Sequence, residues 1–359
     1  MNMQPASVIG EGDMIVAREG SAGLLRLNRP RALNALTLDM VRKILHALDD
    51  FESDPAIAAI LLEGAGERGL CAGGDIRSLH DSAKEGGGLG PLFWAEEYRL
   101  IARIASFPKP FVSYMDGVVM GGGIGLAGHS SHRIVTERSK VAMPEAGLGF
   151  FPDVGGTWLL SHAPGEIGTY YGLTGNIMSG AEAIYAGLAD VCIATKDWPA
   201  LRAAITELPA GTGAGTVTAV LARYSAELGK AAIAEHRAVI DRVFAQDSVE
   251  RIVAMLQNEN TEFARQTAAT IMRKSPRGLK LTLELLRLGR TSASLKEVLK
   301  REFRAVLEAY MTRDFVEGIR AAIIDKTSEP NWSPPRLEDV TPQMIEKYLA
   351  PKGAGELVF

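Results

Sequence analysis

AIAAILLEGAGERGLCAGGDI, residues 56–76, decides the fold class. Its first nine residues carry one charge, at Glu63, and are apolar at both odd and even positions. An extended strand with no face built for water is buried on both sides, which is the pattern of a parallel strand. The segment therefore predicts a buried strand over 56–64 and a glycine-rich loop over 64–74. Upstream, residues 14–28 form two short apolar runs broken by Gly20 and Gly23, the pattern of a hairpin. From Thr37 the period changes: Leu38, Val41, Ile44, Leu45, Leu48 and Phe51 put one apolar stripe on a helix, which Asp54-Pro55 ends. Downstream come a long loop through Gly86-Gly87-Gly88 and a helix near 92–106. A strand from Phe111, a glycine-rich turn, a short helix and a strand over 133–136 follow. Alternating strands and helices with buried strands make the class α/β.

Composition sets the outer bounds. The chain has 359 residues, 47% of them hydrophobic, which is ample for a large core. Thirty-nine basic against 43 acidic residues leave a net charge of −4. Without a basic run, neither nucleic acid nor an anionic membrane is an expected partner. Two cysteines, Cys71 and Cys192, supply neither a disulfide framework nor a zinc cluster. The longest apolar stretch, from Phe111 to Gly128, contains Asp116 and six glycines and suits a packed turn, not a bilayer span. The first 13 residues lack a basic start and an apolar run, so a cytoplasmic location is expected. Residues 211–216, GTGAGT, read as a flexible connector. They divide the chain into a core over 1–210 and a helical region over 217–359.

Chemistry has few places to sit. G-x-G-x-x-G occurs at Gly64 and again at Gly123. The first match is not followed by a helix, and the second stands apart from its strand, so neither makes a dinucleotide site. His129 and His132 have no third ligand at metal spacing, and no metal is expected. Cys71 has no assignable base and reads as a small buried thiol. What remains is a pair of glycine turns, 70–76 and 120–125, and a pair of acids, Glu145 and Asp153, amid Phe150, Phe151 and turn residues. Glycine lets a ligand approach the backbone, and amides from two loops can hold one developing oxyanion. Apolar rings beside a carboxylate raise its pKa toward general acid/base work. Taken by themselves, the turns could be turns and the acids could be solvated loop residues.

Four segments, NRPRALNAL (28–36), CAGGDI (71–76), DGVVMGGGIGLA (116–127) and MPEAGLGFFPDVGG (143–156), resemble the crotonase (enoyl-CoA hydratase/isomerase) superfamily, in that family's order. The resemblance implies a spiral ββα core, here with a helical carboxy-terminal region, and an acyl-CoA thioester as the substrate. It implies an oxyanion hole from the backbone N–H groups of Gly74 and Gly122, and substrate contacts at Glu97, Ala72 and Asp75. It implies no separate cofactor, since coenzyme A arrives within the substrate, and it makes a homo-oligomer an expectation. Hydratases of the family carry a catalytic glutamate where this chain has Gly125, and a second at Glu145. Here the second acid is instead Asp153, a pairing similar to the family's hydroxyacyl-CoA thioester hydrolases. Water, activated by Glu145 with Asp153 or following an acyl-Glu145 anhydride, would cleave the thioester. Hydration or isomerisation by Glu145 alone, and acyl-CoA binding without turnover, remain open at this level.

Overall fold

A computed structural model describes residues 7–10, 12–326 and 329–359. In chain order the strands are β1 (Ser7–Gly10), β2 (Met14–Glu19), β3 (Ala22–Leu27), β4 (Ala59–Gly64), β5 (Gly69–Cys71), β6 (Phe111–Met115), β7 (Val118–Met120), β8 (His132–Val135), β9 (Lys140–Ala142) and β10 (Val191–Cys192). The early helices are α1 (Leu38–Ser53), α2 (Ile76–Lys84), α3 (Leu89–Ala105), α4 (Gly122–Ala127), α5 (Gly156–Ser161), α6 (Ile167–Thr174), α7 (Gly180–Tyr185), α8 (Trp198–Thr206) and α9 (Ala214–Ala222). The later ones are α10 (Arg237–Val243), α11 (Val249–Asn258), α12 (Glu262–Met272), α13 (Pro276–Gly289), α14 (Leu295–Tyr310), α15 (Arg313–Ile319) and α16 (Pro342–Leu349).

The chain packs as two compact units. The first gathers residues up to Gly74, Arg99–Val141 and Met178–Ala231. Its main sheet runs β1-β2-β3-β4-β6-β8-β10, and β5-β7-β9 form a second sheet. β1, β2 and β3 are antiparallel, whereas every pairing from β3 through β10 is parallel. Strand β4 is buried on both faces, as its composition requires. It begins at Ala59, not at 56, because the Ile57 amide is tied back to the Asp54 carbonyl at 3.1 Å. Thr37 caps α1 by accepting from the Met40 amide at 3.2 Å, and α1 buries Met40, Val41, Ile44, Ala47, Leu48 and Phe51. Phe51 rests on β3 at Gly23, where a Cβ would stand 2.6 Å from its ring.

The second unit gathers Asp75–Tyr98, Ala142–Ile177 and Ala232–Phe359. It is helical, with α13 at its centre burying nine of its residues, from Pro276 to Gly289. Close backbone approach recurs here: a Cβ at Gly278 would lie 2.5 Å from the Phe150 carbonyl oxygen.

Two expectations about organisation change. The GTGAGT stretch does not serve as a connector. Gly213 opens helix α9, whose Val217 and Leu221 are buried in the first unit's core with Ile193, Leu201 and Ile205. The units also do not part at 210/217, because segments 75–98 and 142–177 pack with the carboxy-terminal helices. The long loop around residue 80 likewise contains α2, capped by Asp75, which accepts from the Ser78 amide at 3.4 Å.

Candidate active site

The first unit contributes two glycine turns. Strand β5 ends at Cys71, and the next residues are stitched to segment 33–36. The Ala72 amide donates to the Leu33 carbonyl at 3.0 Å, and the Leu36 amide to the Gly73 carbonyl at 2.9 Å. Asn34, itself at φ 55°, is the clasp. Its amide nitrogen donates to the Ala65 and Gly69 carbonyls at 3.1 and 3.0 Å, and its side-chain oxygen accepts from the Arg29 amide at 2.9 Å. Gly73 has φ 109°, open to glycine and costly for other residues. A Cβ there would stand 3.6 Å from the Gly122 nitrogen, so the two turns adjoin. Gly121, at φ 52° and ψ −122°, swings the chain from β7 into α4, which is buried throughout. Gly122 is the first residue of α4, where an amide has no intrahelical acceptor. The Cys71 thiol is buried and donates to the Asn34 carbonyl at 3.3 Å, a packing role as expected.

The second unit holds the acids. Glu145 opens a single 3-10 turn, Glu145–Leu148, that ends on left-handed Gly149. Eight residues on, Asp153 precedes Val154 and Gly155, at φ 55° and 74°. Both acids are buried, 7% and 5% exposed, which removes the reading of them as solvated loop residues. Glu97, on α3, is buried as well, 1% exposed. Asp153 accepts from the Tyr98 hydroxyl at 2.9 Å and from the Trp94 side chain. One oxygen of Glu145, Oε2, and one of Glu97, Oε1, are buried without a hydrogen-bond partner. The aromatic residues desolvate the cluster: Trp94 stacks on Phe150 at 5.7 Å, and Phe150 on Phe151 at 4.8 Å.

Burial and mutual repulsion set the acidities. Asp153 is pushed up to about 7 by burial, against the hydrogen bonds that favour its charge. Glu145 and Glu97 are raised well above the usual carboxylate range, by burial first and then by the charge of Asp153. Sequence reasoning missed three members of this cluster: Tyr98, Trp94 and Glu302. Glu302, on α14, is fully buried and lies at a position of that helix's apolar stripe, alongside Val298, Leu299, Ala305, Val306 and Ala309. An acid at a core position was the signal that could have found it. Of the other expected contacts, Ala72 has its amide engaged by Leu33, and Asp75 caps α2. Among the described residues, no group of three metal-ligating side chains could hold an ion. Among them, too, no helix is long and apolar enough to cross a membrane.

Two adjoining glycine turns in the first unit and, in the second, a set of buried acids are each features of an enzyme. The family model for enoyl-CoA hydratase/isomerase matches residues 22–349, and the chain belongs to that family. Among its relatives are proteins named 3-hydroxyisobutyryl-CoA hydrolase, mitochondrial. The one from Rattus norvegicus is 38% identical over 352 residues, covering 97% of this chain and 91% of the relative. The Homo sapiens protein is 35% identical with the same coverage. Solved structures similar to this fold include a carnitinyl-CoA dehydratase from Mycobacterium thermoresistibile, 43% identical with a TM-score of 0.91, covering 97% of this chain and 99% of that one. An enoyl-CoA hydratase from Rhodobacter sphaeroides is 42% identical with a TM-score of 0.89, covering 97% and 100%.

Proposed function

We propose that this protein hydrolyses a hydroxyacyl-CoA thioester, with 3-hydroxyisobutyryl-CoA as the first substrate to try, releasing 3-hydroxyisobutyrate and CoA as in valine breakdown. The observation that carries the reading is the acid set. Glu145 and Asp153 are both buried, while the position that bears a catalytic glutamate in hydratases is Gly125, inside α4. The near-full-length likeness to relatives named as that hydrolase supports it.

The roles follow from the chemistry of each group. The thioester oxygen goes to the Gly74 and Gly122 amides, which stabilise its developing charge without a side chain. Burial and the charge of Asp153 raise the proton affinity of Glu145, and burial raises that of Asp153 to about 7, so near neutral pH the pair holds a proton. Such a pair can take a proton from attacking water and return one to the departing CoA sulfur. Attack by Glu145 itself, giving a mixed anhydride that water then opens, uses the same groups. Glu97 serves the acyl hydroxyl. No resident cofactor is required.

The carnitinyl-CoA dehydratase and enoyl-CoA hydratase among the similar solved structures favour a second reading, hydration or dehydration at an enoyl bond. One experiment separates them. The purified protein is given 3-hydroxyisobutyryl-, 3-hydroxypropionyl-, acetyl- and crotonyl-CoA, and free thiol and enoyl absorbance are followed independently. Thiol release from the hydroxyacyl substrates is expected. Loss of enoyl absorbance without thiol would overturn the hydrolase, and an Asp153→Gly variant that keeps its activity would do so again.

A further inference from the structure

We infer that Glu302 is a positioning residue for Asp153, holding from the carboxy-terminal region the strained turn that carries this acid. The two residues are 149 positions apart in sequence, yet the carboxylate of Glu302 takes every donor the turn offers it. Oε2 accepts from the Gly155 amide at 2.7 Å, and Oε1 accepts from the Thr157 amide at 3.1 Å and from the Thr157 hydroxyl. The turn needs holding. Val154 is β-branched and stands at φ 55°, a conformation such residues avoid, and Gly155 follows at φ 74°. Asp153 is tied to this turn through its own carbonyl, which accepts from the Gly156 amide at 2.6 Å.

An amide in its place would not do the same. Three donors converge on two oxygens, so an amide of the same size would turn an NH2 group toward one of them. Charge is the second consequence. The groups whose charge bears on Glu302 are the other members of the cluster. Asp153 raises its pKa, and Glu302 in turn raises those of Glu145 and Tyr98. Burial with this repulsion puts Glu302 at about 8. As it ionises, its charge adds to the repulsion that keeps a proton on Glu145, while its hydrogen bonds hold the turn of Asp153 in place.

The inference rests on the hydrolase reading only for its kinetic arm. Glu302→Gln is expected to lower kcat for thiol release roughly 10- to 100-fold with KM within about twofold, the signature of a misplaced group and intact binding. The Glu145 carboxyl, followed by carbon-13 NMR in protein labelled at glutamate, should titrate at lower pH in Glu302→Gln than in the parent. Thr157→Val removes one donor and keeps the charge. It should lower kcat a few-fold and leave that titration in place. Amide exchange at Gly155 should quicken in Glu302→Gln, with no substrate needed. Unchanged exchange and an unmoved Glu145 titration would overturn the inference. So would a Glu302→Gln loss of rate that is equal at every pH and tracks only a lower Tm, since that is a plain helix cap. If the parent releases thiol from no acyl-CoA, the hydrolase reading falls, and exchange and titration still decide the role of Glu302.

Discussion

The glycine turns of the first unit and the carboxylates of the second prepare for chemistry by opposite means. At 71–74 and 121–123 the working groups are backbone amides, fixed by the positive φ of Gly73 and Gly121 and, at Gly123, by a neighbour that leaves no room for a Cβ. Backbone amides do not titrate, so what those turns do is the same at every pH the fold survives. At Glu97, Glu145, Asp153 and Glu302 the working groups are side chains whose acidity comes from being dry and close together. The first arrangement is broken by adding one carbon atom. The second is broken by removing a charge or admitting water.

The largest test of this contrast is Glu145→Gln. It keeps shape and removes the proton acceptor, and thiol release should fall about 10³-fold or more; a smaller loss would move the chemistry to another acid. The next is the stability of the protein itself. Asp153 and Glu302 are raised to about 7 and about 8. Raised carboxyl pKa values give stability that is complete below the unfolded values, near 4, and lost as pH rises through the folded ones. Oppositely shifted acids such as Glu317, held at about 2 by Arg320, have given all they can by pH 5. Between pH 5 and 8, therefore, Tm should fall, with Asp153 alone accounting for roughly 2.6 kcal/mol. A calorimetric Tm that rises over that window would sink the account of a dry acid cluster.

Gly123→Ala probes the other side. Its Cβ would stand 2.5 Å from the Cys71 carbonyl oxygen, so the two turns must part and kcat should drop about 10²-fold. The whole pH–rate profile should move down without shifting along the pH axis. A sideways shift would mean that the turns do influence the acids. The smallest effect belongs to Tyr98→Phe. Its hydroxyl favours the charged form of Asp153. Losing it should move the acidic limb of the profile about one pH unit upward, a tenfold loss at the low end.

Much of the first unit was legible in the sequence, because strand β4 and helix α1 announce themselves through local periodicity. The acids Glu145 and Asp153 were legible as residues, through the resemblance of their segment. Their burial was not, since part of it comes from helices over a hundred positions further on. Tyr98 and Trp94 lie on a helix that was expected, but no local pattern says which of its faces meets Asp153. GTGAGT misled for a related reason. Glycine and threonine read as slack chain, yet Val217 and Leu221, just beyond, bury into a core assembled from strands and helices far away in sequence.

Segment 142–156 is seated on α13 and α15: the Ser275 amide donates to the Ala146 carbonyl at 3.1 Å, Gly278 abuts the Phe150 carbonyl, and Gly318 abuts Leu148. Acid strength at Glu145 is thus a property of helix docking, set by residues that take no part in proton transfer. A local opening that lifts those helices would turn the same carboxyl into an ordinary surface acid, ionised and hydrated, with its sequence unchanged. Loss of catalytic power should then precede loss of secondary structure on warming, because the pKa fails before the fold does.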